Sequence, residues 1–275
     1  MASSDTTPGA TVQAFGPHVQ LERHLDHIGV IYIKRDPVNS ANTALWKSLL
    51  DALEASERDP TVRAVVFASA LAKDVFLAGN DLQELYAPIT SAARYQTFWT
   101  TLTTFLARVY RSPLVVATAA RGFCPAGGTA ILLASDVRVI SDVTACGLNE
   151  VALGIPVPGY WAQLMARIVG DGLAEQICLE GTMMDAASCV RHGLAHVAVP
   201  AALVVDEAVR RVREILKHPD HGRQTTKELM RGEFSRAWVR TMVTLLSISS
   251  DMDLTPIPNP IYPHPHPHPH PHTVT

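Results

Sequence analysis

Residues 114–133 read LVVATAARGFCPAGGTAILL, and three kinds of local structure succeed one another within them. Leu114 to Ala119 is a short run rich in β-branched and small apolar residues, the pattern of a strand. Gly122, Pro125, Gly127 and Gly128 then punctuate a loop from Gly122 to Thr129. Ala130 to Leu133 is uniformly apolar and continues as a helix. A strand that passes through a glycine loop into a helix leaves backbone N–H groups pointing outward at the helix N-terminus, where they stabilise negative charge.

The same order recurs on both sides of this stretch. Val30 to Lys34 is a β-branched and aromatic run that ends at the turn Arg35-Asp36-Pro37. Asn39 or Ser40 then caps a helix whose apolar residues Leu45, Trp46, Leu49, Leu50 and Leu53 recur at helical spacing up to Asp59-Pro60. Val62 to Ala68 and Val137 to Ile140 are further strand-like runs. Strand and helix alternate, so the fold class is α/β, with helices packed on a largely parallel sheet and ligands bound where loops leave the strand ends. That directs attention to the loops at 75–82 and 121–128. Beyond about residue 160 the pattern is mainly helical, through Tyr160–Val169, Leu173–Leu179, Ala201–Leu216 and Thr225–Ser247. Periodicity does not choose among a separate lobe, a cover over the site and an oligomer interface for this region.

The chain has 275 residues, 47% of them hydrophobic, enough for one sizeable core with or without an appendage. A formal net charge of -3 provides no global basic field, and no Lys/Arg cluster forms a stripe, so nucleic acid is not an expected partner. Charged or polar residues break every apolar run short of the roughly 18 residues of a membrane helix, so no membrane span is expected. Cys124, Cys146, Cys178 and Cys189 are widely spaced, with no C-x-x-C pair, and are read as small buried hydrophobes rather than as a disulfide framework or metal site.

The loop Phe76-Leu77-Ala78-Gly79-Asn80-Asp81-Leu82, the loop Gly122 to Thr129 and the segment Asn149-Glu150-Val151-Ala152-Leu153-Gly154-Ile155-Pro156 follow one another along the chain. Each glycine loop alone is a weak signal. Together, in this order and spacing, they resemble the two oxyanion-hole loops and the catalytic segment of the crotonase (enoyl-CoA hydratase/isomerase) family. The resemblance runs from about Val30 to about Leu246, and P-A-G-G at 125–128 with G-L-N-E at 147–150 is most similar to the mitochondrial Δ3,Δ2-enoyl-CoA isomerases of that family. It implies a spiral of ββα turns followed by a helical trimerisation region, and a mitochondrial location. The N-terminal composition itself does not resemble an Arg-rich transit peptide, and no Ser-Lys-Leu ending is present.

The resemblance also implies roles. The backbone N–H groups of Asn80 and Gly127 hold the thioester oxygen of an acyl-CoA, Ala78, Gly79, Asn80, Asp81 and Leu82 with Asn149 line the bound thioester, and Glu150 is the catalytic carboxylate. Asn80 departs from the small or apolar residue usual at its position, but the backbone donor remains. Hydratases of the family place a first Glu in the helix after the second glycine loop, where this chain has Ala130. Adding water across a double bond uses two carboxylates to orient that water, whereas moving a double bond needs one base that removes a proton and returns it two carbons further along. Burial among Val151, Leu153 and Ile155 is expected to raise the pKa of Glu150 into a useful range. The expected activity is isomerisation of 3-enoyl-CoA to trans-2-enoyl-CoA in the oxidation of unsaturated fatty acids. No metal or redox cofactor is expected, coenzyme A being part of the substrate. The rivals are enoyl-CoA hydration or another crotonase-class reaction, and a non-catalytic acyl-CoA-binding or scaffold protein.

Other residues are read as structural. Glu84, Glu175 and Glu180 sit in helical, polar surroundings, Asp136 is a turn or cap residue, and His192 and His196 lack a nucleophile in a matching context. Phe98, Trp99, Phe105 and Tyr110 pack along a helix and can wall an acyl pocket, although Phe98 and Trp99 cannot face the same way. The chain divides into a flexible N-terminal segment (1–22), a core (23–200), a helical region (201–254) and a disordered Pro/His-rich tail (255–275). Strict Pro-His alternation from Pro263 to His272 precludes helix and interior strand, and with no second ligand cluster to close a site it is read as a dispensable tail.

Overall fold

The computed structural model describes residues 11–249, apart from Leu25 and residues 86–89, with side chains up to residue 242. The Pro/His-rich tail and the first ten residues lie outside the described residues. The chain opens with β1 (Thr11–Phe15) and β2 (Val19–Arg23), an antiparallel hairpin, followed by β3 (Ile28–Ile33), antiparallel to β2. Residues 11–22 therefore belong to the sheet, contrary to their assignment to a flexible segment. Val19 and Leu21 are fully buried, and β1, exposed along most of its length, is held through the strand ladder.

Next come α1 (Thr43–Arg58), β4 (Ala64–Ser69), α2 (Leu82–Leu85), α3 (Ala92–Arg111) and β5 (Val115–Ala120). The cap of α1 is neither Asn39 nor Ser40 but Asn42, whose side chain accepts from the Leu45 N–H at 3.0 Å. Asn39 instead takes a left-handed conformation (φ 53°), and its buried amide donates to the Phe76 carbonyl at 2.8 Å and to Ser69 at 3.0 Å. It thereby ties the exits of β3 and β4 to the first glycine loop. The order continues with β6 (Phe123–Pro125), α4 (Gly127–Ala134), β7 (Val137–Ser141) and β8 (Ala145–Gly147). It closes with α5 (Gly159–Val169), α6 (Asp171–Glu180), β9 (Met184–Asp185), α7 (Ala186–Arg191), β10 (Val197–Val199), α8 (Val204–Leu216) and α9 (Asp220–Ser249).

Among the described residues seven strands form the main sheet in the order β1-β2-β3-β4-β5-β7-β10, parallel from β3 onward, while β6, β8 and β9 form a second, small sheet. Successive turns of chain give a long strand to the first sheet, a short one to the second, and a helix, which is the ββα repeat. Of the parallel strands, β4 and β5 are buried on both faces, while the edge strand β10 is half-buried. In β4, Val65 and Phe67 enter the core with α1 and α3, whereas Ala64, Val66 and Ala68 meet α8. α8 presents Val204, Ala208, Val212 and Leu216, one residue per turn, to that second face. A boundary at residue 200 therefore does not follow the packing, since α8 covers the core sheet. A short 3-10 turn, Ala201–Leu203, precedes α8.

α9 runs along α3, where Ser235 donates to the Ala107 carbonyl at 2.8 Å and Trp238, 2% exposed, stacks on Tyr160 of α5 at 5.6 Å. Asp136 is an anchor more than a turn residue. One carboxylate oxygen accepts from the Val116 N–H (2.8 Å) and from Lys227 (2.6 Å), and the other from Arg231 (2.7 Å), so it fastens α9 to β5.

Candidate active site

The first loop is laced to its neighbours by backbone bonds. Ala78 N–H donates to Val38 (3.1 Å), Ala41 N–H to the Gly79 carbonyl (2.8 Å), and Asp81 N–H to the Ala41 carbonyl (2.9 Å). Asn80 lies between these bonds, and its N–H has no acceptor among the described residues. Gly79 takes φ +93°, and a Cβ there would stand 3.2 Å from the Ala126 methyl, so the loops meet closely at this point. The Asp81 carboxylate does not face an open cleft. It pairs with Arg35 at 3.0 Å and accepts from the Gln83 N–H at 3.1 Å, starting α2. Leu82 is 57% exposed.

Glu84 corrects the reading of polar surroundings, because it is 3% exposed, accepts from the Thr43 N–H at 3.1 Å and pairs with Arg94 at 2.7 Å. It therefore braces α2 against the start of α1 and the first turn of α3. No spacing within α2 signals this, since its partners lie 41 residues before it and ten after it.

The second loop is fixed by steric fit. A Cβ on Gly128 would lie 2.6 Å from the Leu77 carbonyl, so only glycine lets the two loops close to this distance. Ala126 is held at φ 49°, ψ -116° by its N–H bond to the Gly147 carbonyl (2.8 Å). Gly127 is the first residue of α4, so its N–H has no intrahelical acceptor and points out of the helix. A Cβ on Gly127 would be 3.2 Å from Asn80 Oδ1. Asn80 and Gly127, distant in sequence, thus stand side by side.

Glu150 opens a 3-10 turn, Glu150–Leu153, that begins after Asn149 and ends at the left-handed Gly154 (φ 72°). It is 4% exposed, and among the described residues neither carboxylate oxygen has a hydrogen-bond partner. Burial raises its pKa from 4.5 to about 7, opposed only in part by its own backbone N–H. Leu153, expected to help bury it, is 44% exposed, and Val151 and Ile155 are half-buried. The turn is instead packed against α6, whose Cys178 thiol is pushed up by burial and by the neighbouring Glu150 charge. Asn149 Oδ1 is likewise buried and unpaired. A buried carboxylate without partners is expensive in a finished structure and is the normal condition of a proton-transfer group awaiting substrate.

The remaining candidates stay outside this chemistry. Glu175 and Glu180 are exposed, and the His196 ring accepts from the Arg138 N–H at 3.0 Å, joining β7 to the segment before β10. Cys124, Cys146 and Cys189 are buried free thiols; the bond to Cys124 and then burial push the Cys146 thiol up, and the bond to Cys146 and then burial push the Cys189 thiol up. Among the described residues no group of three or more His, Cys, Asp and Glu side chains is placed to hold a metal ion. Phe98 and Phe105 are fully buried, and Trp99, half-buried, packs on the same core with its ring 5.5 Å from Phe98 and 6.3 Å from Trp161, contrary to the expectation that Phe98 and Trp99 face different ways.

Two donor loops that meet closely, with a buried unpaired carboxylate in the third segment, make an arrangement suited to holding an oxyanion and transferring a proton. The profile of the enoyl-CoA hydratase/isomerase family matches residues 24–244, and the chain belongs to that family. The human mitochondrial enoyl-CoA delta isomerase 1 is 33% identical over 206 residues, 74% of this chain and 67% of the human protein. A Thermus thermophilus protein provisionally described as an enoyl-CoA hydratase is 31% identical over 216 residues, 77% of this chain and 83% of its own. The crystal structure of human mitochondrial Δ3,Δ2-enoyl-CoA isomerase superposes with a TM-score of 0.77 at 31% identity, covering 85% of this chain and 93% of the human one. The fold is therefore the crotonase fold.

Proposed function

We propose that this chain is a Δ3,Δ2-enoyl-CoA isomerase that uses Glu150 as its single proton carrier. Glu150 takes a proton from C2 of a 3-enoyl-CoA, electron density moves onto the thioester oxygen, and the Asn80 and Gly127 N–H groups stabilise that enolate. Returning the proton to C4 leaves the double bond between C2 and C3. The reaction balances as a proton shift, with no metal or redox partner, and coenzyme A enters only as part of the substrate. The oxyanion contact is stronger for the enolate than for the neutral thioester, which is what makes it catalytic.

One observation carries this reading. Among the described residues Glu150 is the carboxylate with both oxygens buried and unpaired, while the position that would hold the other glutamate of a hydratase is Ala130, fully buried in α4. The isomerase relatives also favour a mitochondrial protein acting in unsaturated fatty acid oxidation, and the family resemblance a homotrimer. Purified protein mixed with a 3-enoyl-CoA should produce the ultraviolet absorbance of a conjugated 2-enoyl thioester. Consumption of a supplied 2-enoyl-CoA instead would identify a hydratase, and binding without either change a non-catalytic acyl-CoA protein.

A further inference from the structure

The one polar side chain of α4 is Thr129, which has no exposed surface. Its hydroxyl donates to the Cys124 carbonyl at 2.5 Å and accepts from the Gly147 N–H at 2.9 Å. The Gly147 carbonyl in turn accepts from the Ala126 N–H at 2.8 Å, so both backbone groups of Gly147 are held from the second loop and the first turn of α4. These bonds are not ordinary helix features. Ser56 and Ser135, also fully buried, bond back to the carbonyl four residues earlier, the usual habit of a buried helical hydroxyl. Thr129 instead reaches outside its helix on one side and to a different segment on the other. Gly127 stands two residues before Thr129, and Glu150 three residues after Gly147. β6 and β8, which pair here, are only three residues long, so few other bonds fix the two segments against each other.

We infer that Thr129 is a positioning residue, whose hydroxyl sets the Gly127 N–H and the Glu150 carboxylate at the spacing that one substrate requires of both. This rests on the isomerase reading above and adds to it the group that aligns its two working parts. Thr129 is enclosed and acts through Gly127 and Glu150 without touching substrate. Removal of a C2 proton and movement of charge onto the thioester oxygen belong to one step, so base and donor must meet the same molecule together. A misplacement of about 1 Å costs such a step roughly 10²-fold. The neutral thioester draws less on that alignment than the enolate does, so the loss falls on kcat more than on KM.

Steady-state isomerisation of a 3-enoyl-CoA by the full chain and three variants tests this, with thermal unfolding measured alongside. Thr129→Val keeps the shape and removes the hydroxyl, Thr129→Ser keeps the hydroxyl, and Thr118→Val removes an equally buried hydroxyl of β5 that is paired with Ser135 at 2.7 Å, away from the site. Thr129→Val should lose about 10- to 100-fold in kcat with KM within about threefold of wild type. Thr129→Ser should recover kcat to within about threefold, and Thr118→Val should lower the unfolding temperature while keeping kcat. Should Thr129→Val not fold, Thr129→Ala, which adds no bulk, carries the same expectation. Retention of kcat within about twofold by the hydroxyl-free variant, or an equal loss in Thr118→Val, would overturn the inference and leave the isomerase reading intact. Absence of isomerisation by the wild type would overturn both.

Discussion

At the scale of single residues, Glu150 sets the pH behaviour of the protein. Its carboxyl titrates near 4.5 when unfolded and about 7 when folded, so between these values the folded state holds the extra proton. Stability therefore falls as pH rises through that window, because deprotonation places an unpaired charge inside the protein. The penalty, about 3 kcal/mol, is absent below the lower value and complete above the upper one. Denaturant unfolding should find Glu150→Gln more stable than wild type by up to about 3 kcal/mol near pH 8 and equal to it near pH 4. Isomerase kcat/KM should show the opposite trend, rising with pH through about 7 as the base is freed. Glu150 was picked out as a candidate from the N-E motif after two glycine loops. The source of its burial was not legible, since α6 lies more than twenty residues further on and Leu153, its near neighbour, faces outward.

At the scale of elements, the strands that are buried on both faces were the most readable, because continuous β-branched runs admit few other structures. The observed β4 and β5 are shifted by only one or two residues from their expected bounds. The β1–β2 hairpin was missed because β1 is solvent-facing and its Thr-Val-Gln-Ala-Phe sequence has no continuous β-branched run. Gly16 at φ +63°, followed by Pro17 and the alternating Val19 and Leu21, was the available signal. The cap of α1 was misplaced because three polar residues compete near its start, and only Asn42 stands three residues before a free helical N–H. The attachment of α9 was not legible, since Asp136 meets Lys227 and Arg231 more than ninety residues later. Asp136→Ala leaves the nearly buried Lys227 without its counter-ion and should cost about 3–5 kcal/mol in chemical unfolding. A loss below about 1 kcal/mol, the level of an exposed pair, would show that α9 is held by its other contacts and not by the Asp136 ion pairs.

At the scale of the whole molecule, the ββα spiral came from the motif resemblance, whereas periodicity alone reached only an α/β sheet with helices. Packing then assigns different tasks to the two C-terminal helices: α8 closes the second face of the sheet, and α9 lies over α3 and α5. Leu229 and Met230, near the middle of α9, are 81% and 72% exposed, apolar surface of the kind an assembly contact covers. Light scattering at micromolar concentration should therefore give about three times the 29.8 kDa chain mass. A monomer would remove the trimer proposal and leave the fold untouched.

The central claim is that one carboxylate carries the proton in both directions. Initial rates of 3-enoyl-CoA isomerisation by wild type and Glu150→Gln test it most directly, because the variant keeps side-chain size and both backbone donors. A sole acid–base residue contributes roughly 10²–10⁴-fold, so the maximal rate should fall toward the upper end of that range while KM changes far less. Retention of more than about a tenth of the wild-type rate, against that hundredfold minimum, would contradict the one-carboxylate mechanism.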